Sequence, residues 1–402
     1  MNFSDQIKTA LESKEESLRE HLIRYGSVAS RAVAAFERIA NDDLAELIER
    51  LKDTDNIGAL PSDEVIKSGS FKVAFDRSWQ DHESARKWAA EILNGRKTFA
   101  ADGSQVYSSE ETSIPVAMIR IGWFENPHNA SKDFDKGRSV QILTPEDLFS
   151  HDDEKMNPDI RVEQHRYLGE VAAVSRFIKE NKGWQERGER MPLAFFDDPL
   201  LVPFSQKGLQ KSLLDATVEL VALSAENRVP LIGYVDRSFS RDIVTMLSVL
   251  DPSFANVEPA LYDGWLLRAS SDGRKPLLDK WGERTCFFHS KRRGLGVFSG
   301  EGSGITNVGF SYLQTTRDAA PARVDVPAWC YESGLLDEII DVVRAECVVG
   351  LGYPYPLEAA DQTAFITGYE RDVFFSSLQK FAESEKLDFS VSRKNSSKAR
   401  RR

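Results

Sequence analysis

The stretch Thr98-Phe99-Ala100-Ala101-Asp102-Gly103-Ser104 decides how the rest of the chain is read. A short β-compatible run enters Asp-Gly-Ser, the pattern of a strand that ends in a turn with a carboxylate at its tip. Downstream, residues 114–124 (IPVAMIRIGWF) form a long β-rich run, and 139–143 suggest another short strand. From Arg161 to Glu180 the period becomes helical, with Tyr167, Leu168, Val171, Val174 and Ile178 on one face. Residues 193–196 (LAFF) are a wholly apolar strand that stops at Asp197. A helix over 209–225, a buried strand over 229–235 (VPLIGYV) and a helix over 241–250 follow. Further strands are expected at 285–289, 294–298 and 309–314, and one terminal helix over 357–384.

Strands arranged first as a meander and then alternating with helices predict an α/β fold: a mixed sheet flanked by helices, in ribonuclease H-like order. Ahead of it, residues 1–55 read as helix, with apolar residues such as Leu18, Leu22, Phe36 and Leu47 at helical spacing among charges. A weaker helix covers 79–94. The expected division is an N-terminal helical region (1–94), a main domain (95–385) and a basic tail (386–402). No internal repeat is visible.

Hydrophobic residues make up 41% and charged residues 29% of the 402, which fits a globular chain with a real core. No run reaches the 18 or so apolar residues of a membrane span. The charged N-terminus lacks an apolar signal core, so a cytoplasmic setting is expected. Cys286, Cys330 and Cys347 form neither an even set nor a close ligand pair, which fits reduced, inert thiols. A net charge of −11 argues at first against a phosphate-rich partner. The distribution matters more. Residues 393–402 (RKNSSKARRR) carry six positive charges and no negative one, so the body is more acidic still. An acidic body also suits an enzyme that gathers carboxylates around divalent metal.

Four carboxylates fall where such a sheet would bring them together. Asp102 and Asp197 sit at strand ends, Glu170 lies about 100° around its helix from Val171, and Asp361 is in the first turn of the terminal helix. Phosphodiester cleavage needs a nucleophilic water and a stabilised leaving oxygen, which two Mg²⁺ or Mn²⁺ ions about 4 Å apart can supply. Such hard cations prefer oxygen donors, and carboxylates packed this closely repel one another without them. Zinc is less attractive, because the six histidines are scattered. Each acid also has a plainer role open to it. Asp102-Gly103 suits a turn, Asp197-Asp198-Pro199 a cap, Glu170 a solvated helix face, and Asp361 the helix dipole.

Several segments together resemble the NurA family. ADGSQ (101–105) is similar to its first aspartate motif, HRYLGEVAAV (165–174) to its glutamate helix, and LAFFDDPLL (193–201) to its second aspartate strand. In the last, Asp198-Pro199-Leu200 replaces the usual Gly-Ser-Leu. VPLIGYVDRSFSRDIVTML (229–247) and GERTCFF (282–288) resemble further motifs of bacterial members. GYPYPLEAADQTA (352–364) is the most specific match. The resemblance covers about 95–385.

The resemblance implies a nuclease of ribonuclease H-like fold, usually Mn²⁺-dependent, that degrades DNA from its ends and often cuts single strands. It implies a homodimer docked on a HerA-type hexameric ATPase, acting in DNA repair or phage defence. It assigns metal binding to Asp102, Glu170 and Asp197, and supporting roles to Tyr353 and position 361. Many members have histidine at that last position, and Asp361 would supply another hard ligand. Arg237 is a candidate phosphate contact, and Lys291, Arg292 and Arg293 a candidate DNA-backbone cluster. Residues 300–304 (GEGSG) lack a Walker ending, so a motor would be a separate subunit. Two rivals stand beside this reading: a catalytically impaired NurA-like adaptor that binds DNA and regulates HerA, and a carboxylate-pair glycosidase. The glycosidase explains neither the element order nor the terminal Tyr-Pro segment.

Overall fold

The computed structural model describes residues 2–41, 43–107, 112–149, 157–201, 209–251, 254, 261–270, 275–292, 307–317 and 319–388. The chain opens with helices α1 (Phe3–Glu12), α2 (Glu15–Asn41) and α3 (Leu44–Lys52). Strand β1 (Gly58–Pro61), helix α4 (Glu64–Ser68), strand β2 (Lys72–Val73) and helix α5 (His82–Leu93) follow. Next come strands β3 (Thr98–Val106), β4 (Ala117–Asn126) and β5 (Asp135–Leu143), then helices α6 (Pro145–Leu148) and α7 (Pro158–Glu180). Strand β6 (Leu193–Phe196), helix α8 (Leu209–Asn227), strand β7 (Leu231–Val235) and helices α9 (Asp242–Leu250) and α10 (Asp263–Arg268) continue the chain. Strands β8 (Arg284–Thr285), β9 (Phe288–Lys291), β10 (Val308–Leu313) and β11 (Ala322–Pro327) precede helices α11 (Ala328–Glu332), α12 (Leu336–Val349), α13 (Tyr355–Ala364) and α14 (Gly368–Ser384).

Two compact units emerge, one from Met1–Ser78 with Val235–Ala328 and the other from Trp79–Tyr234 with Trp329–Arg402. In the first, Leu44, Leu47, Ile48 and Leu51 of α3 recur at helical spacing and are all buried. They share a core with Ile243 and Leu247 of α9 and with Phe288 and Phe310. Strands β1, β9, β10 and β11 form an antiparallel ladder beside them. The apolar stripe of α2 is buried at Ala32, Phe36 and Ile39 but exposed at Leu18, Leu22 and Ile23. The strand expected at 294–298 lies outside the described residues.

In the second unit the strand order is β7-β6-β3-β4-β5. β3, β4 and β5 form an antiparallel meander, while β6 runs parallel to both β3 and β7. That is the ribonuclease H-like arrangement. Opposite faces of its centre are covered by two helices, as the glycines reveal. A Cβ on Gly169 of α7 would come within 2.8 Å of the Ile121 side chain, and one on Gly122 within 2.4 Å of the Ala364 amide of α13. Ile121 and Gly122 are successive strand residues and so point to opposite faces. The α7 face is sealed by Phe99 stacked on Phe177 at 4.8 Å; burying a side chain of that size stabilises by about 1.5–3 kcal/mol.

Two sequence expectations are corrected here. Asp102 does not end β3: the strand continues to Val106, with Asp102 opposite Gly122 and Val106 opposite Met118. What ends near Asp102 is its other neighbour, because pairing with β6 stops at Ala101–Phe196. The terminal helix is two helices. Phe365–Thr367 interrupt it, and Thr367 with Glu370 forms a reciprocal capping box that starts α14 afresh.

Candidate metal centre

The register of β3 and β6 places Asp102 and Asp197 one step beyond the last paired residues, Ala101 and Phe196, of adjacent parallel strands. Strands lie about 4.8 Å apart, so the two carboxylates are neighbours. Asp102 shares its strand face with Gly122, the face that α13 covers, and α13 carries Asp361. The next residue, Gly103, faces α7. A Cβ there would fall 2.5 Å from both Oε1 of Glu170 and Cγ of Arg166, so only glycine admits these two side chains against the strand. Acids therefore lie around Asp102 on both faces of the sheet and at the end of β6, close enough to act on it electrostatically.

The electrostatics follow that geometry. Burial pushes the Asp102 carboxyl up to about 6, with Asp197 and Asp361 raising it further and the Gly103 amide, 2.8 Å from Oδ1, opposing. Burial likewise pushes Glu170 up to about 8, against the pull of Arg166 and with the push of Asp102 and Asp198. Asp198 stands at about 6, raised by burial, eased by Arg166 and raised again by Asp197 and Glu163. These are carboxylates that a cation would stabilise.

Glu170 is almost fully buried, and its Oε1 accepts a 2.5 Å bond from Nη1 of Arg166. The same guanidinium donates to Glu163 at 3.2 Å through Nε. Glu163 in turn accepts from the Tyr107 hydroxyl. Tyr353 donates its hydroxyl to Oδ1 of Asp197 at 2.7 Å, and its ring meets Tyr234 of β7 edge-on at 5.3 Å. That carboxylate is thus aimed by a residue from the segment before α13.

The donor set is all oxygen, which fits Mg²⁺ or Mn²⁺ rather than zinc. Among the described residues no three acid, histidine or cysteine side chains already stand in ligand geometry. The reason is visible at Glu170, whose carboxylate is taken up by Arg166.

Of the residues expected from the sequence, Asp102, Glu170, Asp197, Asp361 and Tyr353 all lie in the second unit, and Asp102 interacts electrostatically with Asp197, Asp361 and Glu170. Arg237, Lys291 and Arg292 belong to the other unit. There the Lys291 ammonium donates to the carbonyls of Lys52 and Thr54 at 2.6 and 3.0 Å. Arg292 faces Asp242 at 3.5 Å. Lys291 is committed to those carbonyls, whereas Asp242 has a closer cation in Arg323, at 2.6 Å. Arg293 and the 300–304 stretch lie outside the described residues. The sequence reading missed Arg166, although its spacing was available: it stands three residues after Glu163 and four before Glu170 on one helix. It also passed over Asp198 as a mere motif substitution. The three cysteines are buried and none is in a disulfide, and burial pushes the thiols of Cys286 and Cys330 well up, which keeps those two inert.

A ribonuclease H-like sheet with acids gathered beside its two central strands defines the class. The chain belongs to the NurA family, a family of nucleases: the NurA domain model matches residues 96–366. No curated protein matches the chain. Among solved structures, one of NurA with manganese is 8% identical, with 88% of this chain and 98% of that one covered, at a TM-score of 0.39. Another of NurA, bound to dAMP and manganese, is 8% identical over 68% of this chain and 86% of that one, at 0.37. Endonuclease V from Bacillus subtilis is 14% identical over 77% and 97%, at 0.30. No helix among the described residues is long and apolar enough to cross a membrane.

Proposed function

We propose that this chain is a divalent-metal-dependent deoxyribonuclease whose metal ligands are Asp102, Glu170, Asp197 and Asp361. The observation that carries the proposal is the convergence on Asp102 of like charge from Asp197, Asp361 and Glu170, on a chain of the NurA family. Bound there, two Mn²⁺ or Mg²⁺ ions would supply an activated water and neutralise the departing 3′ oxygen. Asp102, on β3, and Asp197, just past β6, would be ligands to these ions. Tyr353 would position the Asp197 carboxylate through the hydrogen bond to its Oδ1. Glu170 joins the ligand set when it leaves Arg166, and the freed guanidinium then lies within the site as a donor for a DNA phosphate. Arg237 remains a candidate phosphate contact on the family resemblance alone.

The cellular setting we propose is the cytoplasm, with the chain as a homodimer on a HerA-type hexameric ATPase, resecting DNA ends in repair or in phage defence. One observation favours the second reading, a catalytically impaired adaptor of that motor: Glu170 is tied to Arg166, and Asp198-Pro199 stand where the family usually has Gly-Ser. The two readings separate in one assay. End-labelled linear DNA, single- and double-stranded, is incubated with the protein in Mn²⁺, in Mg²⁺ or in chelator, with and without the ATPase. Cleavage that needs the cation supports the nuclease. Binding of DNA without cleavage under every condition supports the adaptor.

A further inference from the structure

A groove of about 470 Å³ runs between the β4–β5 hairpin and α13. The aromatic side chains Phe124, Phe134 and Tyr355 line one part of it and the cations Lys136 and Arg138 another. Phe124 is buried and braces the other two, meeting Tyr355 edge-on at 5.5 Å and Phe134 at 5.4 Å. Phe134 is 54% exposed and Tyr355 37%. A sequence optimised only for folding has no need of two braced rings, one on α13 and one beside a strongly charged strand, that stay open to water.

The cations stand ready as well. Lys136 lies over the Phe134 ring, 5.9 Å from its centroid. Arg138 is 59% exposed and, among the described residues, reaches Glu370 at 3.5 Å. Glu370 already has a closer and more buried cation in Arg120, at 2.8 Å, and caps α14 through Thr367. Its carboxyl is pulled down to about 2 by Arg120 and those cap bonds, so it is satisfied without Arg138. Gln362, which also lines the groove, is held by Glu358 at 3.2 Å. The lining itself holds the two cations Lys136 and Arg138 and no acid.

We infer that this groove binds the unpaired strand of a nucleic acid, with bases on the Phe134 and Tyr355 rings and phosphates on Lys136 and Arg138. Exposed rings able to stack any base, with cations beside them for the phosphates, are the shared physics of sequence-tolerant single-strand binding. A duplex keeps its base faces stacked inside and has nothing to offer the rings. The groove shares α13 with Asp361, so a strand held in it runs along the helix that borders the acidic site. This inference rests on the nuclease reading and adds to it the surface that holds the strand, the groove along α13.

The test is binding of a fluorescent oligothymidylate of about 15 nucleotides and of a duplex of equal length, in chelator, followed by fluorescence anisotropy. Phe134→Ala and Tyr355→Ala are expected to weaken single-strand binding about five- to tenfold each while duplex binding holds, and Phe134→Trp is expected to restore it. Lys136→Ala is expected to lower the salt dependence of binding, whereas Phe134→Ala leaves that slope unchanged. Light scattering on the same samples watches the oligomeric state. Unchanged single-strand affinity in both aromatic variants overturns the inference, as does a loss explained by a change in the number of subunits. Cleavage in Mn²⁺ keeps the two readings apart: wild-type cleavage beside unaltered variant binding sinks the groove alone, and wild-type failure to cleave sinks the nuclease reading.

Discussion

The Tyr353 hydroxyl donates a 2.7 Å hydrogen bond to Oδ1 of Asp197. Asp197 stands just past the end of β6 and is exposed. Tyr353→Phe keeps the ring contact with Tyr234 and removes only the donor. A charge-assisted bond at a site this open is worth about 1 kcal/mol, so Mn²⁺ affinity should fall about fivefold with an unaltered melting temperature. Calorimetric titration of metal into both proteins checks this, and equal affinities would leave Tyr353 no positioning role.

Gly103 makes a sharper demand. Alanine there would put its Cβ 2.5 Å from Arg166 and from Glu170, so those side chains must move or the helix must lift. Overpacking of this kind costs about 1–3 kcal/mol. Gly103→Ala should therefore lower the melting temperature and weaken metal-dependent cleavage together. Gly368→Ala is the control, since a Cβ at Gly368 meets nothing within 4 Å. Equal behaviour of the two variants would contradict the packing described.

The acids also set a pH dependence. Without metal, Glu170 is raised to about 8 and Asp102 to about 6, each first by burial. A raised acid binds its proton more tightly folded than unfolded. The metal-free protein should thus lose stability as pH rises from about 4 to about 8 and level off beyond. Metal needs the deprotonated forms, so Mn²⁺ affinity should climb between about pH 6 and 8. Arg166→Gln removes the cation that holds Glu170 down, which moves the climb to higher pH. The fully buried Glu346, bonded to Thr98 at 2.8 Å, is also raised to about 8 by burial. Measuring stability on a Glu346→Gln background isolates the site. A flat affinity profile would count against these assignments.

Much of this was legible in the chain. The apolar runs before Asp102 and Asp197 and the periodicity around Glu170 located three acids, because strand ends and helix faces write themselves into local pattern. Arg166 was visible at helical spacing and was passed over. Other features depend on partners distant in sequence. Leu47 and Leu51 have their core partners in Ile243 and Leu247, nearly 200 residues away, and no local pattern records that. The interior of β3 looked like a turn because Asp102-Gly103-Ser104 has turn composition. Pairing with β4 holds it extended, and Gly103 is needed for space rather than for a bend. Helix α12 escaped notice since it buries charge, with Arg344 and Glu346 both inside, which blurs its apolar face.

The central claim is that acids beside β3 and β6 perform metal-dependent DNA cleavage. Its most direct test is the cleavage rate of end-labelled linear DNA in saturating Mn²⁺ for wild type, Asp102→Asn and Asp197→Asn, each shown to be folded by its melting temperature. The account predicts that wild type cleaves and that each variant is slower by about a hundredfold or more, as loss of a metal ligand's charge requires. Both variants cutting at the wild-type rate would contradict it.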